Sequence, residues 1–122
     1  MARTPIAIKD ANANSATPAN LGAGATAADA GNDMMFPNVN GNVLLFVITI
    51  AASGADISIV GVADPYGRTE TLGPSTVGAS VQVVFGPFAP GLFTQPSGAD
   101  VGQTYVNVDN VSGTVSLQGL RV

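Results

Sequence analysis

Apolar and polar positions alternate in steps of two along much of this chain beyond residue 42. No segment repeats at the three-to-four-residue spacing of an amphipathic helix, so strands are expected. The strongest is "VLLFVITIAA", which follows the turn signal "NGN" at Asn40 to Asn42. It is rich in β-branched residues and apolar on both faces, as suits a central strand covered on both sides. "SGAD", Ser53 to Asp56, then predicts a turn into "ISIVGV", and the two strands read as a hairpin. "DPYGR", Asp64 to Arg68, fits a type I turn. "TETL" reads as a short strand and "GPSTVGA" as a loop. "SVQVVF" places Val81, Val83 and Phe85 on one face, with Ser80 and Gln82 on the other. In "GTVSLQGLRV", Val115 and Leu117 share a face, while Leu120 and Val122 fall on the opposite one. A β-bulge at Gly119 would restore the phase.

This pattern predicts an all-β protein, a small antiparallel β-sandwich or jelly-roll-like barrel of about six to eight short strands. The first forty residues differ. They are rich in Ala, Asn, Gly and Thr, and apolar side chains are sparse. Gly, Asn and Pro interrupt any helix that the alanines favour. An extended N-terminal arm is expected over residues 1–40, ahead of a β-sandwich domain over 41–122. "TPIAI" is a candidate edge strand with Ile6 and Ile8 on one face, and "MMFP" (Met34 to Pro37) a candidate core anchor.

One connection stands apart. "GPFAPGLFTQPSG", Gly86 to Gly98, holds three prolines, three glycines and two phenylalanines, and no charge. Proline makes such a loop rigid. Phe88, Leu92 and Phe93 are expected to close one end of the core or to present apolar surface to a partner.

Composition narrows the chemistry. The chain has 122 residues, enough for one domain that folds without staples. It contains no cysteine and no histidine. Disulfides, thiolate metal sites, a Ser-His-Asp triad and a zinc hydrolase are therefore excluded. The net charge is −4, and the only basic side chains are Arg3, Lys9, Arg68 and Arg121. Nucleic-acid affinity rests on neutralised phosphates, so no nucleic-acid partner is expected. The N-terminus lacks an apolar stretch of signal-peptide length. The longest apolar run, Val43 to Ala52, is broken only by Thr49. It falls short of the about twenty residues of a membrane helix. A product made in a cytoplasm, with no membrane partner, is expected.

The remaining motifs carry little chemistry. "DAGND", Asp29 to Asp33, offers oxygen ligands but lacks the closing Glu of a calcium loop, so it reads as a polar turn. Asp64 and Glu70 are a carboxylate pair without a visible cleft, and Arg68 with Glu70 reads as a surface ion pair. Gly22 and Gly24 are not followed by the lysine of a phosphate loop. "NVS" at Asn110 carries no weight as a sequon without a secretory signal. No catalytic, cofactor-binding or metal-binding residue is assigned, and an enzyme is not expected. Without tryptophan, and with Tyr66 and Tyr105 as the only tyrosines, a carbohydrate-binding β-sandwich module is a weaker alternative.

The second half of the chain, residues 43–122, resembles small proteins encoded in the structural gene block of tailed bacteriophages. The resemblance lies in "DPYGRT", in "GPFAPGLFTQPSG" and in "YVNVDNVSGTVSLQGLRV". The matching positions are Gly86, Pro87, Phe88, Pro90, Phe93, Gln95 and Gly98, then Tyr105, Val106, Leu120, Arg121 and Val122. It implies a non-enzymatic capsid decoration (cement) protein on the outer surface of a phage head. The implied partners are the major capsid protein and further copies of the chain, as a homotrimer or another homo-oligomer. A tail or head-fibre subunit is the alternative within the virion. The expected partner contacts are Thr4, Pro5, Ile6 and Ile8, Met34, Met35 and Phe36, and the loop aromatics Phe88 and Phe93.

Overall fold

A computed structural model of the chain describes residues 2–11, 22–63 and 66–122. These described residues form ten strands and one helical turn. In chain order these are β1 (Thr4–Pro5), β2 (Ile8–Asp10), β3 (Thr26–Ala27), β4 (Met34–Pro37), β5 (Val43–Thr49), β6 (Gly54–Ile59), β7 (Leu72–Val77) and β8 (Gln82–Phe85). The helical turn α1 (Pro90–Phe93), β9 (Gln103–Ser112) and β10 (Val115–Arg121) complete the set. The expected all-β sandwich is the fold observed. One sheet runs β1-β4-β9-β6-β7 and the other β2-β10-β5-β8, with β3 also paired to β10.

The ladders are mostly antiparallel, but β1 pairs with β4 and β2 pairs with β10 in parallel. These strands, with β3, lie in the segment expected as an arm. Residues 12–21 of that segment fall outside the described residues.

Alternation builds the core. Val43, Leu45 and Val47 of β5 face Ala55, Ile57 and Ile59 of β6 and Val106 and Val108 of β9 across the sandwich interior, and all are buried. Full burial of each valine, leucine or isoleucine among them stabilises the fold by about 1.5–3 kcal/mol.

Three expectations are corrected. First, β5 and β6 do not form a hairpin. The chain turns at Ala51 and Ala52, and β6 begins already at Gly54. It crosses to the opposite sheet, where β6 pairs with β7 and β9 while β5 pairs with β8 and β10. The buried Ser53 ties this crossover to the one between β9 and β10, its Oγ accepting from the Thr114 amide at 2.9 Å.

Second, "GPSTV" is strand rather than loop, since it makes up most of β7. Pro74 is accommodated because β7 is an edge strand, where a missing amide donor disturbs no ladder.

Third, no bulge occurs at Gly119. The register of β10 on β5 is continuous from Val115↔Thr49 to Arg121↔Val43. Gly119 therefore faces inward, and a Cβ there would lie 2.2 Å from Ile8 Cδ1. The Ile8 side chain occupies that space. On the other face of β10, the buried Gln118 accepts from the Gly22 amide at 2.8 Å and donates to the Ala23 carbonyl at 3.0 Å.

Candidate functional site

The Gly86–Gly98 connection is built from the core outward. Phe88 and Phe93 both point inward and are buried. Phe88 packs on Phe36 of β4 with ring centroids 6.0 Å apart, and on Phe93 edge-to-face at 5.8 Å. Such pairs add about 0.5–1.5 kcal/mol beyond their burial. Pro90 opens α1 at a position where the lost amide donor costs nothing.

Backbone bonds lash the loop to its neighbours. Val62 N donates to Leu92 O at 2.8 Å, Gln95 N to Gln103 O at 2.8 Å, and Gly102 N to Gln95 O at 3.0 Å. The β4–β5 turn packs against α1 from the other side. A Cβ on Gly41, whose φ is +68°, would lie 2.9 Å from Pro90 Cδ. A polar cluster sits beneath. Asn38 is buried and donates from Nδ2 to Phe88 O (3.1 Å) and Thr94 Oγ1 (3.3 Å), while Thr94 Oγ1 donates to Asn38 O (3.1 Å).

These elements enclose an open groove of about 420 Å³ at one end of the sandwich. Val39, Val62, Pro90, Pro96 and Val101 line it, together with Thr94 and Gln95. Its rim is exposed and apolar, with Val39 69% and Val101 58% accessible. Among the described residues no charged side chain lines it. Beside it, Tyr105 donates its hydroxyl to Asp100 Oδ2 at 2.6 Å, and the Arg3 guanidinium lies 4.1 Å from the centre of the Tyr105 ring. The hydrogen bond to Asp100, followed by burial and the Asp100 charge, holds the Tyr105 phenol above its usual range. Its described lining pairs no nucleophile with a base. It is suited to receive apolar side chains of a partner.

The residues expected as contacts occupy different places. Ile6, Met34, Phe36, Phe88 and Phe93 lie inside the subunit. Ile8 and Met35 are half-buried, and Pro5 is exposed. Thr4 is also half-buried and donates its hydroxyl to Asp29. The groove-rim residues Val39 and Val101 come from other positions. Their sequence signal is an apolar residue inside a turn segment, where alternation does not require one.

The other motifs resolve as local structure. Asp29 accepts from Thr4 and from Asn32, which hold its carboxyl below the ordinary range. Asp33 Oδ1 accepts from the Val108 amide at 2.9 Å. "DAGND" is thus a polar turn that ties β1 to β9, and no group of three or more metal-ligating side chains occurs among the described residues. Asn110 donates to Asp56, which Thr76 also contacts, and these bonds lower the Asp56 carboxyl. Asp64 and Pro65 lie outside the described residues, and the Arg68 guanidinium sits 5.4 Å from the Tyr66 ring centre. Among the described residues no helix is long and apolar enough to cross a membrane. No protein-family model, no curated protein and no solved structure matches this chain.

Proposed function

We propose that this chain is a non-enzymatic structural protein of a phage virion, a decoration protein that binds the outer surface of the head and bridges capsomers. One observation carries the reading: an apolar groove of about 420 Å³ with exposed valines on its rim, set beside a loop anchored by buried aromatics. A rigid apolar site of this kind binds by burying surface, at small entropic cost to itself. The resemblance of residues 43–122 to phage structural proteins supplies the partner class. A subunit that binds only the assembled shell stabilises it by mass action, without chemistry.

The reading is tested by co-sedimentation of the purified chain with expanded phage shells. Val39→Asp and Val101→Asp place a carboxylate on the rim without entering the core. Each is expected to weaken shell binding by about tenfold or more, equivalent to about 1.4 kcal/mol, with an unchanged circular dichroism spectrum. Binding equal to that of the unmodified chain would remove the groove from the account.

A further inference from the structure

A sandwich leaves edge strands with unpaired backbone groups, and proteins blunt such edges with charge, proline, bulges or short length. The edges of this fold differ in that respect. β1 and β3 have two residues each, and β1 ends in Pro5. β2 carries Lys9 and Asp10, the latter ion-paired with Arg121 at 3.1 Å. β7 contains Pro74, and its register on β6 is broken by an irregularity between Ile57 and Ile59. β8, the outer strand of the second sheet, is short but carries no charge, proline or bulge: it reads Gln82-Val83-Val84-Phe85 in unbroken register with β5.

The hydrogen-bond phase shows which groups are free to pair. Thr49 N donates to Val81 O, and Val47 and Leu45 oppose Val83 and Phe85. Val81, Val83 and Phe85 therefore spend their amides and carbonyls on β5, and those of Gln82 and Val84 point to the open edge. The Val84 side chain is 53% accessible on the outer face, opposite Phe46 in the ladder. The chain as a whole carries a net charge of −4, yet no charged residue occurs from Thr71 to Ala99.

From this we infer that β8 is a self-association edge, pairing antiparallel with β8 of a second copy about a two-fold axis through Val83. The strand is its own complement in this arrangement. Gln82 of one copy faces Val84 of the other, and each pair exchanges both N–H···O bonds. Val83 meets Val83 on the core side, and each exposed Val84 is covered by the partner's Gln82. Charge selects the occupant: two copies of an acidic chain meet along this uncharged edge without opposing carboxylates. The result joins the two β2-β10-β5-β8 sheets into one. A four-residue strand buries little area, so the pair is weak and concentration-dependent. The inference does not depend on the virion reading, since it follows from the edge alone.

Sedimentation equilibrium of the full chain over a range of concentrations tests it, alongside hydrogen exchange. A monomer–dimer equilibrium is expected, with the Gln82 and Val84 amides gaining protection as concentration rises. Val84→Lys puts a charge on the outer face of the edge, clear of the core. It is expected to raise the dimer dissociation constant at least about tenfold while thermal melting shows a folded subunit. A second variant, Gln82→Pro, removes one edge donor that β5 does not use. A strictly monomeric chain, a three-fold assembly, or a dimer whose Gln82 and Val84 amides exchange freely would overturn the inference.

Discussion

The N-terminal segment and the Gly86–Gly98 loop are both irregular in sequence, both mix small polar with apolar residues, and both pack against the same core. They use their apolar side chains differently. The described part of the N-terminal segment turns its larger apolar side chains inward: Ile6 is buried and Ile8 fills the space beside Gly119. Its polar groups are spent internally, as in the Thr4–Asp29 bond and the Arg3 contact with Asn107. The loop buries Phe88 and Phe93 but, with the neighbouring turns, leaves Val39 and Val101 at an open rim. One region completes the subunit; the other completes it and leaves surface over. Burial of an aromatic in a loop thus says nothing against a binding role for that loop, because the aromatic anchors what its neighbours present.

The widest separation between anchors and rim is energetic. Phe88→Ala is expected to destabilise the subunit by about 3–5 kcal/mol, and Ile6→Ala by about 2–5 kcal/mol. Val101→Ala should change stability by no more than about 0.5 kcal/mol. Urea unfolding of the three variants measures this directly, and a Val101→Ala loss as large as that of Ile6→Ala would erase the distinction.

The next test addresses the N-terminal segment alone. Gly119→Val forces Ile8 and its strand aside, at an expected cost of about 1–3 kcal/mol. Amide exchange should accelerate in β2 and leave the loop amides unchanged. Equal acceleration in both regions would mean that they are not separate units.

A smaller effect follows from the acidic turn. Asp29 and Asp56 have carboxyls lowered by hydrogen bonds, so the folded state holds fewer protons than the unfolded state near pH 3.8, the ordinary value. Their contribution is fully present above that pH and is lost as pH falls through the lower folded values. Thermal melting between neutral and acid pH should show this loss, and Asp29→Asn should flatten the Asp29 part of it. The smallest effect belongs to the exposed Arg121–Asp10 pair, whose side chains are 44% and 70% accessible. Arg121→Ala is expected to shift stability by less than about 1 kcal/mol.

Much of the sandwich was legible in the chain because alternation reports which face is buried. β8 and the first half of β10 appear as period-two runs, β5 as a run apolar on both faces, and the strand Met34–Pro37 as an apolar anchor. What escaped was long-range. A short Gly-containing turn after β5 suits a hairpin locally, yet the two strands find better partners in opposite sheets. The phase break at Gly119 looks like a bulge until Ile8, far away in sequence, is seen to fill the place of the missing side chain. Pro74 hides β7 because the rule against proline in strands applies to interior strands. The groove was not legible at all, since Val39 and Val101 come together only when the β4–β5 turn, α1 and the approach to β9 converge. The loop itself was visible, but not that both its phenylalanines would point inward.

On the function proposed above, this chain coats a phage shell in many copies. Quantitative mass spectrometry of purified particles, comparing this chain with the major shell protein, tests it most directly. A ratio near parity is the predicted result. A few copies per particle would make the chain a tail or fibre part, and its absence from particles would rule out the decoration role.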